Sequence, residues 1–195
     1  IKGIASGRVQ RFDLLQADCT GLDGAAHRHY GALAVSWGGA AEIVHRTNTS
    51  RFLKKLGGRF SYYANTLIVT LTYPMRRCDL TIDDQEFKDQ VYYSGLVCNT
   101  EFLGGGMRLA PGADHADGVA DLLFFKDIPR REIILQKPSW LFEGHHIEHP
   151  KVDFIRGRIF TVEGGPETLV DADGETIGRL PLRVETLKQA LTIIG

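Results

Sequence analysis

Apolar positions along this chain change period several times. Val9, Phe12, Leu14 and Leu15 lie in a short apolar-rich run, 32–37 form a second, and Asp23-Gly24 supplies turn chemistry between them. Both runs read as strands. From Gly58 onward Phe60, Ala64, Leu67, Ile68 and Leu71 recur at helical spacing, until Pro74 stops the segment. Residues 40–56 form a weaker helical candidate, with Gly57-Gly58 as its stop. The strand pattern then returns. Leu80 and Ile82 lead to a turn at Asp83-Asp84, 87–98 continue as a long strand, and 119–125 are a compact apolar run of strand length. Residues 128–142 could form a helix that Pro138 interrupts. Beyond it, 152–162 alternate apolar and basic residues, and 168–170, 182–184 and 191–194 are short strand candidates. Many short strands with two or three helices predict a mainly β, α+β chain: an antiparallel sandwich with helical insertions. There is no internal repeat and no low-complexity linker.

Composition narrows the classes. A chain of 195 residues buries one sizeable core or two small ones, and 43% hydrophobic with 24% charged residues is ordinary for a globular protein. A net charge of −1 excludes the basic footprint of a nucleic-acid binder. Three scattered cysteines, Cys19, Cys78 and Cys98, suit neither a disulfide framework nor zinc, and read as free buried thiols. No apolar run approaches the roughly 20 residues that span a bilayer. The start at Ile1 has no initiator Met and no signal-peptide pattern, which predicts a fragment of a longer protein. Asn48-Thr49-Ser50 fits a glycosylation acceptor, but such triplets arise by chance and nothing else argues for secretion.

Four segments carry candidate chemistry. Gly104-Gly105-Gly106-Met107, followed by Pro111-Gly112-Ala113, could cradle phosphate or make a tight turn; it lacks the lysine of a P-loop. The stretch 114–121 places Asp114, Asp117 and Asp121 in a loop leading into a strand. Such a loop suits Mg²⁺, or a solvated acidic turn. Asp171-Ala172-Asp173-Gly174-Glu175 could divide metal and base duties between carboxylates at i and i+2, or be a hairpin turn. His145-His146-Ile147-Glu148-His149 matches the H-x-x-E-H zinc-protease string, but Gly144 and Pro150 deny it the helix that motif needs, and the protease reading is rejected.

Taken in order, these segments resemble the C-terminal half of the diacylglycerol kinase catalytic family, which includes bacterial lipid kinases, sphingosine kinases and ceramide kinases. The resemblance rests on Gly104-Gly105-Gly106-Met107, Pro111-x-Ala113, Asp117-Gly118-x-Ala120-Asp121, Gly144-His145, His149-Pro150 and Asp173-Gly174-Glu175. Val97-Cys98-Asn99, Trp37-Gly38-Gly39, Lys55-Leu56-Gly57 and Tyr62-Tyr63 support it. It covers nearly the whole chain. It implies a β-sandwich lobe of the diacylglycerol kinase and NAD kinase type that forms the lipid site. It also implies an N-terminal lobe that holds ATP on a Gly-Gly-Asp-Gly-Thr loop. No such string occurs here, so residues 1–195 are expected to be the C-terminal lobe alone, inactive by itself.

Carried over by position, the resemblance implies that Glu175 is the general base for the lipid hydroxyl. Asp173 would help organise Mg²⁺ and the nucleotide. Asp117 would be a magnesium ligand, completed by the backbone carbonyls of Asp114 and Val119. A Glu175 partly buried beside a second carboxylate would be a better base near neutral pH, and Arg179 could compensate its charge. The helices around 60–71 and 133–142 could wall an acyl-chain cleft, or be faces of the core. The partners implied are a diacylglycerol-like or long-chain-base lipid, a membrane touched peripherally from the cytoplasm, and the protein's own N-terminal lobe; a homodimer is compatible. The rivals are an NAD-kinase-related lobe, against which Asp173-Gly174-Glu175 argues, and a non-catalytic regulatory or lipid-binding sandwich.

Overall fold

The structure, a computed structural model, describes residues 9–50, 58–135 and 139–194. Strands β1 (Val9–Thr20), β2 (Ala26–Gly31) and β3 (Ala34–Gly38) lead into helices α1 (Gly39–Thr49) and α2 (Gly58–Thr72). Strands β4 (Arg76–Ile82), β5 (Gln85–Cys98) and β6 (Ala120–Lys126) follow, then α3 (Arg130–Leu135), α4 (Ser139–Phe142) and a 3₁₀ turn at His145–Glu148. The chain closes with β7 (Val152–Gly157), β8 (Ile159–Gly164), β9 (Leu169–Ala172) and β10 (Glu175–Ile194).

All strand pairings among the described residues are antiparallel. Stepping between paired neighbours from β10 through β8, β4, β5, β3 and β9 leads back to β10, so this part of the sheet closes on itself. Closure removes exposed edges. β1 and β2 extend the sheet beyond β10, and β6 with β7 branches from β5. The enclosed core includes Leu15, Val35, Trp37, Phe124, Phe160 and Val184. Each fully buried side chain of this size stabilises the fold by about 1.5–3 kcal/mol. A second cluster, with Leu96, Leu109, Leu123 and Ile128, lies under the helical insertions, and Val69 and Tyr73 pack on Tyr93 to fix α2. The mainly β architecture with helical insertions is the one the periodicity predicts. The three cysteines are buried and free, also as predicted.

The departures have local reasons. Residues 182–184 and 191–194 belong to one long strand, β10, because β10 lies opposite β1 over almost its whole length despite the polar stretch between those two runs. Pro181 is tolerated where β10 changes partner from β9 to β8 and its register against β1 shifts, so no ladder donor is missed. β2 has no apolar run at all; it is an outer strand held by backbone pairing to β1. The 152–162 run divides into β7 and β8, where the Asp83 carboxylate accepts the N–H groups of Arg158 and Ile159 at 3.0 and 2.9 Å. The 128–142 helix is two pieces, α3 and α4; Pro138 lies outside the described residues. Gly58 opens α2 instead of ending α1, and Gly57 lies outside the described residues.

The step from β3 into α1 positions the site. A Cβ at Gly38, where φ is +77°, would lie 2.8 Å from the Tyr93 carbonyl oxygen, and one at Gly39 would lie 2.6 Å from the Tyr93 ring. Only this glycine pair lets α1 lie so close to β5.

Candidate functional site

The Asp173-Gly174 pair is the turn of the β9–β10 hairpin. Both residues have positive φ, 49° and 88°, and Ala172 and Glu175 face each other as the first pair of the ladder. Asp and Gly are the residues such a two-residue turn selects. The Asp173 carboxylate accepts backbone N–H groups from Ala32, Leu33 and Ala34 at 2.7, 2.9 and 2.9 Å. It therefore clamps the β2–β3 connection to the hairpin. A carboxylate offers about four lone-pair positions, so one remains open.

Strand alternation separates the two neighbouring acids. Glu175 shares a face with Ala172, whereas Asp171 pairs with Thr176 on the opposite face. Thr176 meets His45 of α1 at 3.3 Å, so the Asp171 face is the helix-covered one. Glu175 is exposed, and the partial burial expected for it belongs to Asp171, which is 5% exposed. Asp171 accepts the Ser36 hydroxyl at 2.5 Å and the Gly174 N–H at 2.8 Å. Burial pushes its carboxyl up to about 6; the hydrogen bonds from Ser36 and Gly174 oppose the shift, and the charges of Asp173 and Glu175 add to it. Arg179 does not compensate Glu175 by direct pairing, because its guanidinium donates to the Glu167 carbonyl at 3.2 Å. No separate site role is expected for Asp171 from the sequence alone. Its place in the same acidic string was visible, but its burial was not.

On the helix-covered face is a cavity of about 440 Å³, within the usual range for small-molecule sites. Its polar end is formed by Ser36, Asp171, Asp173, Gly174, Thr47 and Asn48. The Asn48 amide donates to the Gly174 carbonyl at 2.8 Å, tying α1 to the hairpin turn. Leu96, Met107, Leu109, Phe125, Trp140 and Leu141 line the remainder, and Tyr62, Thr66 and Thr70 bring α2 in as a wall. The expected helical walls are thus present. Gly104, Gly105 and Gly106 all have positive φ and make the tight turn between Leu103 and Met107, and Gly104 borders the cavity.

The second acidic segment is arranged differently. One Asp117 oxygen accepts the Val119 N–H at 3.1 Å and the other is bonded to the Arg156 guanidinium of β7. Arg156 also approaches Asp121 at 3.3 Å, and the exposed Asp114 carboxylate accepts the Ala116 N–H at 3.0 Å. Asp121 is buried; desolvation raises its carboxyl, opposed by the Arg156 charge and reinforced by that of Asp117. Below the loop, the fully buried Asp13 accepts the N–H groups of Gly118 and Gln189 at 2.6 Å each. Asn99 of the sequence pattern donates to the carbonyls of Asp13 and Ala32 at 2.9 and 2.8 Å. At the position expected for Mg²⁺, between Asp117 and the carbonyls of Asp114 and Val119, the Asp117 carboxylate is paired with Arg156. Among the described residues no group of three or more His, Cys, Asp and Glu side chains could hold a metal.

The histidine string confirms the rejection of the protease reading. His146 is buried, with its ring nitrogens 3.0 and 2.8 Å from the carbonyls of Trp140 and Leu109, while His149 lies 3.4 Å from Glu132. Among the described residues no helix is long and apolar enough to cross a membrane.

Comparison with known proteins agrees with this geometry. Residues 33–195 match the family described as the YegS C-terminal NAD kinase beta sandwich-like domain. A diacylglycerol kinase of Staphylococcus haemolyticus is 29% identical over 162 residues, covering 80% of this chain and 46% of that protein. One from Bacillus subtilis is 24% identical over 179 residues, covering 89% and 58%. One from Mycobacterium tuberculosis is 32% identical over 96 residues, covering 49% and 30%. The chain thus spans between 30% and 58% of the length of these relatives. A crystal structure of a diacylglycerol kinase from Bacillus anthracis superposes on 99% of this chain and 56% of its own, with a TM-score of 0.59 at 17% identity. A second structure from that organism reaches a TM-score of 0.72 at 18% identity, over 99% and 59%. Since the family match takes in most of the chain, the protein belongs to the YegS C-terminal NAD kinase beta sandwich-like family.

Proposed function

We propose that this chain is the lipid-binding lobe of an ATP-dependent lipid kinase that phosphorylates a hydroxyl of a diacylglycerol-like or long-chain-base lipid. The observation that carries the reading is the cavity, apolar over most of its wall and ending on the acidic hairpin. An acyl chain gains by leaving water for that wall, at about 0.8 kcal/mol per buried CH₂. The headgroup is then left beside the carboxylates. Glu175, exposed at the hairpin, takes the proton of the lipid hydroxyl as its oxygen accepts the terminal phosphoryl group of ATP and ADP departs. Asp173 holds the turn and keeps an acceptor position toward the nucleotide. Phosphoryl transfer depends chiefly on positioning and charge neutralisation, so few side chains are required. ATP, with its Mg²⁺, is held by the protein's own N-terminal lobe, and this chain alone transfers no phosphate.

Membrane contact falls to α2. Tyr63, Leu67, Ile68 and Leu71 are 60%, 50%, 40% and 48% exposed, and no charged residue occurs between Phe60 and Thr72. A helix with an apolar outer stripe settles at a lipid interface, here beside the cavity that takes the lipid. The test uses the protein with its nucleotide lobe, a panel of diacylglycerols and long-chain bases, and Ala40→Trp, which fills the cavity away from the acids. Loss of lipid phosphorylation in a folded variant supports the reading. Full turnover with the cavity blocked overturns it.

A further inference from the structure

We propose that Asp171, braced by Ser36, is the residue that recognises the free hydroxyl of the lipid inside the cavity before that hydroxyl passes to Glu175 beyond the turn; this rests on the lipid-kinase reading above. Asp171 borders the cavity and Glu175 does not, because alternation puts them on opposite sides of the sheet. A lipid entering between α1 and α2 therefore meets Asp171.

Its bonding leaves room for a ligand. Ser36 takes one position on one oxygen and the Gly174 N–H one on the other, which leaves about two of four acceptor positions open. Neither partner is a cation, unlike Arg156 at Asp117. A buried carboxylate with open acceptor positions is costly unless a donor reaches it. The donors already present come from the protein side, one from β3 and one from the turn, so they aim the carboxylate without consuming it. Nearby, the Thr47 hydroxyl is buried without a hydrogen-bond partner and also lines the cavity. One polar end thus holds an unpartnered hydroxyl and a carboxylate with open acceptor positions. Asp171 can only accept when ionised, so it selects a lipid that donates; an ether or ester oxygen in the same place would face it lone pair to lone pair.

The test measures binding of a short-chain diacylglycerol and a short-chain ceramide, each against its O-methyl ether, to this chain by calorimetry. Wild type is expected to favour the free hydroxyl by about 10-fold or more, the scale of a hydrogen bond to a charged group. Asp171→Asn keeps the site folded, since its amide can accept from Gly174 and donate to Ser36. It is expected to reduce the preference to within about 3-fold while leaving affinity for the ether unchanged. Ser36→Ala keeps the charge and loosens its aim, giving an intermediate preference, with melting temperature as the folding control. A preference undiminished in Asp171→Asn overturns the assignment. So does wild type that binds alcohol and ether equally, though the lipid reading survives that result. Wild type that binds neither pair overturns the lipid reading and this assignment with it.

Discussion

In the loop at 114–121 the half-buried Asp117 and the buried Asp121 meet Arg156, and Asp13 beneath is saturated by backbone donors. In the hairpin at 171–175 one carboxylate is a turn clamp, one stands in solvent, and the buried one has no cation beside it. Both segments are short, acidic and built on an Asp-Gly turn, and in sequence they invite the same metal reading. The difference is what folding brings opposite them. β7 offers the loop a guanidinium; β3 and α1 offer the hairpin a hydroxyl and a cavity. A carboxylate answered by a cation consolidates structure, whereas one left with open acceptors beside a cavity is available to a ligand.

The largest effect is expected at Glu175. In the protein with its nucleotide lobe, Glu175→Gln is expected to lower kcat by about 100-fold or more with little change in KM for ATP, as loss of a general base does. An unchanged kcat removes Glu175 from that role. Next in size is a structural effect on the loop side. Asp13→Ala leaves two buried N–H groups unanswered and is expected to lower stability by about 3 kcal/mol, a drop of roughly 10 °C in Tm. A shift under about 2 °C would show that the loop does not depend on it.

The hairpin and the loop should both respond to pH, since Asp171 and Asp121 are each raised by burial, Asp121 against the opposing charge of Arg156. The folded carboxyl of Asp171 lies near 6, above its ordinary value of 3.8, so the fold favours its protonated form. That advantage is complete below about 4 and is lost as pH rises through 6, up to about 3 kcal/mol in all. Thermal melts between pH 4 and 7 should show this decline more steeply in wild type than in Asp171→Asn, where Asp121 remains; equal slopes would place the buried acid elsewhere. Asp18 and Glu101, held low first by their hydrogen bonds to Arg28 and Arg108, act in the opposite sense, and only at lower pH. The smallest effect concerns Arg156. Arg156→Ala should lower Tm by about 2–4 °C and make the melt respond to Mg²⁺, while wild type melts alike in Mg²⁺ and in chelator. A wild-type rise with Mg²⁺ would restore the metal to Asp117.

Much of the fold was legible because its signals are local. Phe60, Leu67 and Leu71 announce α2, Pro74 ends it, and Asp83-Asp84 mark a hairpin that forms where expected. β2 was not legible, since Ala26–Gly31 owes its conformation to pairing with β1 and not to its own pattern. The single strand β10 was hidden for the same reason. Asp173 and Glu175 stand in a string that resembles the one of the diacylglycerol kinase family. Asp171 carries the same residue type in that string, and Arg156 sits 39 residues from the Asp117 it neutralises, so nothing local marks either role.

The sequence by itself determined the periods, the turn residues and the family of the chain, because these depend on side-chain chemistry within a few positions. Tertiary structure decided which acid is buried, which is clamped and which is free. Those outcomes depend on what β3, β7 and α1 bring across the fold, and desolvation and ion pairing act through space, not along the chain.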